Sequence, residues 1–302
     1  MNERDLDYFA VVAEHGHLGR AAEALGLSQP ALSMSLRRLE KSLQAKLVKG
    51  TPKGVELTSV GRALQSHLQR LRLVRQDIGR EITDLSQGRS GDLRISTQVG
   101  VLEELVAVAS AALLNEAPKI ALTVTVTSLE SMVLALRKGE LDFIVSTSPS
   151  AQADDLVHEP LYEDEFVVIA STTHRLAGRR RVTLAEAAKE RWVRPGASGP
   201  VWDAFTRAFE NKGLPLPQFT MISNSSVVRR RVIAYAGFLG QGVRRAVRQT
   251  SRSLPVTVLP VKELTIARHV MVTYRKDGYL SPAARRFIEI LKTTAKEIAI
   301  DV

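Results

Sequence analysis

The chain has 302 residues, 44% hydrophobic and 25% charged, enough for two or three domains each with its own core. It contains no cysteine, which excludes disulfides, thiolate catalysis, Cys-ligated zinc and thiol-based redox sensing. The formal net charge of +10 and the pI near 10.0 suit a polyanionic partner, nucleic acid first among them. No apolar run approaches the thickness of a bilayer, and Met1-Asn2-Glu3-Arg4-Asp5 has neither the basic nor the apolar region of an export signal. The expected location is the cytoplasm, with no membrane partner.

Leu6, Phe9, Ala10 and Ala13 mark the inner face of a first helix. Leu18, Ala21, Ala22 and Leu25 follow i, i+3, i+4, i+7 spacing and mark a second, which Gly26 is suited to end at C′. Ser28 is a good N-cap for a third helix, and Pro30 falls in its first turn, where no backbone donor is lost. Leu32, Leu36, Leu39 and Leu43 are then its buried stripe. Gly50, Pro52 and Gly54 are turn residues of a short wing over 47–57, in which Val55 and Leu57 alternate with Glu56.

From Thr58 to about Leu85 there is no proline, and the apolar pattern is a heptad. Leu57, Leu64, Leu71, Ile78 and Leu85 share one position, and Gly61, Leu68, Arg75 and Ile82 the other. A single seam with polar flanks calls for a partner helix. Leu64, Leu68, Leu71, Ile78 and Ile82 are the expected dimerisation residues, on a helix of roughly 40 Å. Gln87-Gly88-Arg89-Ser90-Gly91 reads as a hinge.

Beyond the hinge, strands over 93–96, 122–126 and 141–145 alternate with helices over 101–114 and 129–137. That order implies a parallel sheet. A second α/β unit runs from about Glu165 to Val261, and a last strand over 266–274 and a helix over 281–299 are expected to return to the first unit.

The helices joined by Gly26-Leu27-Ser28 form a helix-turn-helix. The outward side of the third helix presents Gln29, Ser33 and Arg37, with Pro30 and Met34 beside them. Gln pairs bidentately with adenine and Arg with guanine in the major groove, and small Ser33 permits close approach. Ser28 and the first-turn amides suit a phosphate. Arg37, Arg38, Lys41, Lys46, Lys49 and Lys53 place six cations within seventeen residues, opposed only by Glu40. Ser28, Gln29, Pro30, Ser33, Met34, Arg37, Arg38, Lys49 and Lys53 are the expected DNA-binding residues.

Ala21-Ala22, Leu25, Leu27-Ser28-Gln29-Pro30-Ala31-Leu32-Ser33, Leu36, Leu39-Glu40, Leu43, Leu57-Thr58 and Gly61 together resemble the LysR-type transcriptional regulators. The likeness is strong to Gly61 and looser through the rest of the chain. Leu43-Gln44 stands where the family usually has Leu-Gly, Val48-Lys49-Gly50 where it has Phe and then Arg, and Ser35 where Gln or His is common. The resemblance implies an α+β multidomain chain: a winged helix-turn-helix domain over 1–58, a linker and dimerisation helix over 59–87, and an effector-binding domain over 91–302. That last domain would be similar to periplasmic binding proteins, with one subdomain over 91–163 and 265–302 and a second over 164–264. The implied partners are double-stranded operator DNA, a small-molecule effector, further copies of the chain (a homodimer, then a homotetramer) and RNA polymerase. No cofactor is implied.

The resemblance places an effector between the two subdomains, and the open end of a parallel sheet is also where ligands bind on physical grounds. Candidate lining residues are Ser96, Thr97, Gln98 and Val99 after the first strand, Ser128 after the second, and Ser146 and Thr147 at the third. The second subdomain offers Ser198, Trp202 and Ser223. Hydroxyls and helix N-termini on facing loops suit a small anion such as a carboxylate. Charge is also segregated: residues 101–165 hold 12 acidic and 3 basic side chains, residues 175–252 hold 16 basic and 4 acidic. Opposite fields favour head-to-tail pairing of two effector domains, the arrangement the resemblance also implies.

Other chemistry finds little support. The six histidines show no metal spacing. Gly196-Ala197-Ser198-Gly199 half resembles a nucleophile elbow, but Pro200 replaces the final glycine. An enzyme reading requires a nucleophile–base pair in the cleft, and none is visible. A transport receptor requires an export signal. An architectural DNA protein without an effector stays open on the sequence.

Overall fold

The computed structural model describes residues 2–87, 91–98, 101–147, 154–196, 200–250 and 253–300. The chain divides into two compact units, Met1–Arg80 and Glu81–Val302.

In the first unit, helices α1 (Glu3–His15), α2 (Leu18–Ala24) and α3 (Gln29–Leu43) precede a hairpin of β1 (Val48–Thr51) and β2 (Gly54–Leu57) and the long helix α4 (Ser59–Gln87), whose residues from Glu81 on belong to the second unit. Gly26 ends α2 at a φ of +64°, a left-handed conformation natural to glycine. Ser28 caps α3, its Oγ accepting from the Ala31 N–H at 3.3 Å. Leu32, Leu36 and Leu39 are buried, as the stripe requires. They close two adjoining clusters, one with Leu6, Phe9 and Leu47, the other with Val12, Ala21 and Ala22.

The start of α4 belongs to this core, which moves the unit boundary into the helix. Leu64 and Leu68, expected in a dimer seam, pack against the Leu6–Phe9–Leu39 cluster of their own unit. Gly61 is not a seam position either. A Cβ there would lie 2.1 Å from the Leu47 carbonyl oxygen, so glycine is what lets α4 approach the backbone before β1. Arg75 pairs with Glu3 of α1. The apolar stripe that stays exposed is Leu71, Val74, Ile78, Ile82 and Leu85.

The second unit opens with β3 (Asp92–Thr97), α5 (Val101–Glu116), β4 (Ala121–Val126), α6 (Leu129–Arg137) and β5 (Phe143–Thr147), with β4, β3 and β5 parallel in that spatial order. The long strand β6 (Leu156–Ser171) follows. Next come α7 (Leu184–Ala188), β7 (Arg191–Arg194), α8 (Pro200–Glu210), β8 (Gln218–Ile222), α9 (Ser226–Ala236), β9 (Leu239–Val243), α10 (Arg244–Thr250) and β10 (Val256–Leu259). Strand β11 (Ile266–Arg275) and helix α11 (Pro282–Ile300) complete the unit. Strand β11 pairs antiparallel with both β5 and β6, which is the expected return to the first half.

The strands form one nine-stranded sheet ordered β4-β3-β5-β11-β6-β9-β7-β8, with β10 also on β6. Each half nevertheless has its own core. Leu93, Ile95, Phe143, Val272 and Phe287 sit in one; Trp192, Phe205, Phe209, Leu239 and Leu259 sit in the other. The antiparallel pair β6–β11 is the element that passes between the halves.

Candidate functional site

Two surfaces carry polar side chains in excess of what the fold uses. The first is the outer face of α3. Ser28, Gln29, Pro30, Met34 and Arg37 are exposed there and Ser33 is half-buried. Met34 leaves 66% of its surface in solvent beside them.

The opposite side of α3 is fixed by two buried carboxylates. Asp5 of α1 accepts from the Ser35 hydroxyl and from Arg38, whose Nε lies 2.8 Å from Oδ2 and whose Nη2 meets Oδ1. Hydrogen bonding to Arg38 outweighs burial and holds the Asp5 carboxyl below the usual carboxylate range. Arg38, expected on DNA, thus ties α3 to α1 through two contacts while 60% of its side chain stays in solvent. Glu40 accepts from the Leu47 N–H at 2.9 Å and from Lys46 at 2.7 Å, tying the end of α3 to the wing. Burial pushes its carboxyl up, and Lys46 with the Leu47 and Val48 amides brings it to a net lowered pKa. The acid that seemed to oppose the basic cluster is thus a structural one. Lys49 pairs across the hairpin with Glu56 at 2.9 Å. Arg37, Lys41 and Lys53 make no ion pair among the described residues, and Lys53 stands exposed on the hairpin turn.

The second surface is a cleft of about 170 Å³ in the second unit, between the ends of β3 and β5 on one side and α9 and β9 on the other, floored by β11. Gln98 and Thr147 line it, as expected. Gln98 Oε1 accepts from the Thr147 N–H and hydroxyl at 3.0 and 3.1 Å. Facing them are Ser226, Arg229, Arg230, Gln241 and Arg268, none of which the sequence reading picked out. Arg268 is 9% exposed and lies over the Phe166 ring, 5.1 Å from its centre. Burial lowers the pKa of Arg268, Arg229 and Arg230, though an arginine stays charged under any ordinary condition. Arg229 Nη1 donates to the Ser223 carbonyl. Arg229 Nε, Gln241 Nε2, and Arg268 Nε and Nη2 are buried without a protein acceptor. No carboxylate lines the cleft among the described residues.

The other expected lining residues are placed elsewhere. Ser96 and Thr97 are fully buried and donate to the Thr125 and Val145 carbonyls of the neighbouring strands, so their hydroxyls are sheet glue. Ser146 is buried in β5 and does not line the cleft. Ser128 caps α6, accepting from the Ser131 N–H. Trp202 stacks on Phe205 at 5.3 Å as part of the second core. Ser223 sits behind Arg229 and positions it. Val99 and Ser198 lie outside the described residues.

What this arrangement offers chemically is a set of donors and fixed positive charge. Among the described residues there is no group of three His, Asp or Glu side chains suited to a metal. No described helix is long and apolar enough to cross a membrane.

Residues 4–62 match the family described as "Bacterial regulatory helix-turn-helix protein, lysR family", and residues 86–296 match "LysR substrate binding domain". The chain is 28% identical over 295 residues to the RuBisCO operon transcriptional regulator of Allochromatium vinosum, covering 97% of this chain and 96% of that one. Its fold is similar to full-length CbnR solved with its target DNA (TM-score 0.53, 18% identity, 98% of this chain and 100% of the other). It is also similar to the regulatory domain of Synechocystis PCC6803 CcmR solved with 2-PG (TM-score 0.61, 19% identity, 68% of this chain and 98% of the other). The chain thus belongs to the LysR family of bacterial transcriptional regulators, with a DNA-binding helix-turn-helix unit followed by an effector-binding domain.

Proposed function

We propose that α3 reads operator DNA in the major groove through Gln29, Pro30, Ser33, Met34 and Arg37, and that a small organic anion in the cleft of the second unit controls that binding. The observation that carries the effector assignment is the cleft's lining: three guanidiniums and four unpartnered buried donor nitrogens with no carboxylate among them. An acceptor-only ligand is what such a lining binds. The groups come from both halves and from the strand pair between them. A ligand held by all of them favours whichever relative position of the halves brings them together, which is the differential affinity that control requires. The cleft binds its ligand without turning it over; the groups that face it are donors and cations rather than a nucleophile and its base.

The assembly we propose is a dimer through the exposed stripe of α4 at Leu71, Val74, Ile78 and Ile82. Effector domains then pair head to tail, and two dimers make a tetramer that works with RNA polymerase in the cytoplasm. Support for the head-to-tail contact is the charge segregation together with two unpaired sheet edges. Strand β4 at one end exposes Val124 and Val126, and β8 at the other exposes Ile222.

Footprinting tests the central reading. On a site recovered by in vitro selection, a panel of small organic acids, amines and neutral analogues is added in turn. An acid is expected to change the footprint or its affinity. A response confined to neutral or cationic compounds refutes the anion reading, and no response to any compound refutes effector control through this cleft.

A further inference from the structure

We propose that the effector is a compact dianion and that Arg268 is the residue that selects for its second charge. The inference rests on the cleft being the effector site and names the ligand class that site takes.

Charge comes first. Arg229, Arg230 and Arg268 all line one cavity and all are penalised by burial. A buried lysine or histidine relieves such a penalty by losing its proton, but a guanidinium does not. Neutralisation has to come from a partner. Asp164 is the strand neighbour of Arg268 and its charge favours the guanidinium, but it makes no hydrogen bond to it: Oδ1 accepts from the Glu165 N–H, Oδ2 is buried without a partner, and the side chain lines a separate pocket with Arg244, Arg245 and Arg248. Asp164 offsets part of the Arg268 charge from outside the cleft, but the lining itself sets three guanidiniums against no carboxylate, so a monoanion answers one of them and a dianion two.

Donor geometry points the same way. The unpartnered nitrogens lie on three different elements: Arg229 on α9, Gln241 on β9 and Arg268 on β11. Gln98 presents its carboxamide from a fourth place, at the end of β3, with its oxygen already taken by Thr147. One carboxylate holds two oxygens in a single plane. Acceptors at both ends of a short ligand satisfy groups on opposite walls.

Size limits the ligand. The cleft of about 170 Å³ is below the roughly 300–1,000 Å³ typical of drug-sized sites. Leu102, Phe166 and Val243 supply a small apolar wall. The fitting chemistry is two negative charges separated by a few atoms, as in a short dicarboxylate, or carried on one phosphate monoester.

The position of Arg268 explains why it selects. It shares strand parity with Val270 and Val272, both fully buried, so the sequence places an arginine where an aliphatic residue belongs. Its Nε and Nη2 find no acceptor in the protein, and unlike the similarly unsatisfied Arg245 it lines this cleft.

The test is calorimetry on the full-length chain at fixed ionic strength and pH 7.5 with four matched probes: lactamide, lactate, malonate and methyl phosphate. At least one dianion is expected to bind tenfold or more tighter than lactate; which one distinguishes a dicarboxylate from a phosphate ester. Arg268→Gln is expected to weaken that dianion at least tenfold and to bring the dianion-to-lactate ratio below about three. The rise in melting temperature produced by saturating dianion is expected to shrink in step with the affinity, a change that a purely structural arginine would not cause. Arg230→Gln, on the half-buried rim, is the control: it is expected to weaken lactate and the dianion alike and to leave their ratio near the wild-type value, and a ratio that collapses as it does in Arg268→Gln would overturn the selective role of Arg268. Lactate binding as tightly as both dianions overturns the dianion inference and leaves the anion reading standing. An unchanged ratio in Arg268→Gln overturns the role of Arg268. Preference for lactamide, or no binding of any anion, overturns the cleft reading as well.

Discussion

Gln98 uses its side-chain oxygen to hold Thr147 twice, at the backbone N–H and at the hydroxyl, and so ties the end of β3 to the end of β5 at the mouth of the cleft. Only its nitrogen is left for a ligand. Gln98→Glu keeps an oxygen for Thr147 and puts negative charge where that nitrogen was. Anion affinity is expected to fall at least tenfold while the melting temperature moves little, as read by malonate calorimetry and a thermal melt. Unchanged affinity would remove Gln98 from the site.

Asp5 makes the same kind of double contact inside the DNA-binding unit. Asp5→Ala leaves the Ser35 hydroxyl buried without a partner, which costs about 1–3 kcal/mol. The pH dependence has a definite sign. Arg38 lowers the folded-state pKa of Asp5, so the stabilisation is fully present above the unfolded value near ~3.9 and is lost as pH falls through the lower folded value. The gap between wild type and Asp5→Ala in urea melts is expected to be constant from pH 7 to about pH 5 and to shrink below about pH 4. A gap that widens in acid would contradict this.

The exposed part of α4 separates dimerisation from folding. Ile78 and Ile82 are 51% and 61% exposed in the single chain. Replacing both by Asp is expected to give a monomer by analytical ultracentrifugation with the unit's circular dichroism unchanged. Leu68→Asp, which strikes the unit's own core, is expected instead to destabilise it by at least ~2 kcal/mol. A double variant that stays dimeric would place the main contact elsewhere.

On DNA, Gln29→Ala is expected to cost about 1–3 kcal/mol at one operator position. Lys53→Ala is expected to weaken all sequences alike and to lower the salt slope by roughly one. Equal base preference before and after Gln29→Ala, measured by competition with single-base operator variants, would show α3 docked differently.

Much of the fold is legible along the chain because local signals and packing agree. Ser28, Pro30 and Gly26 mark helix ends by their own backbone chemistry, and Leu32, Leu36 and Leu39 mark a face by spacing alone. Periodicity is blind to what covers a face. Leu64, Leu68 and Gly61 fit a heptad, yet Leu47 and the Leu6–Phe9 cluster of the same unit cover them. The cleft is harder to read for a related reason. Ser96, Thr97 and Ser146 carry the right groups, but in a sheet interior a hydroxyl satisfies a neighbouring carbonyl before it meets a ligand. The arginines come together only through tertiary pairing, Arg229 and Arg230 on α9 against Arg268 from a strand that returns late in the chain. A readable trace did exist. Arg268 interrupts an otherwise apolar alternation with Val270 and Val272, and a lone charge at an inward strand position marks a site.

The most direct measurement of the whole account is in vitro selection of binding sequences by the full-length protein from random duplex DNA, followed by sequencing of the enriched pool. A dimer that places one α3 in each of two major grooves is expected to enrich an interrupted inverted repeat, its half-sites separated by about one helical turn or a multiple of it. The same selection with Gln29→Ala should lose preference at one symmetric pair of positions and keep the repeat spacing. A pool with no enriched sequence, or one enriched for a single half-site without two-fold symmetry, would contradict the account.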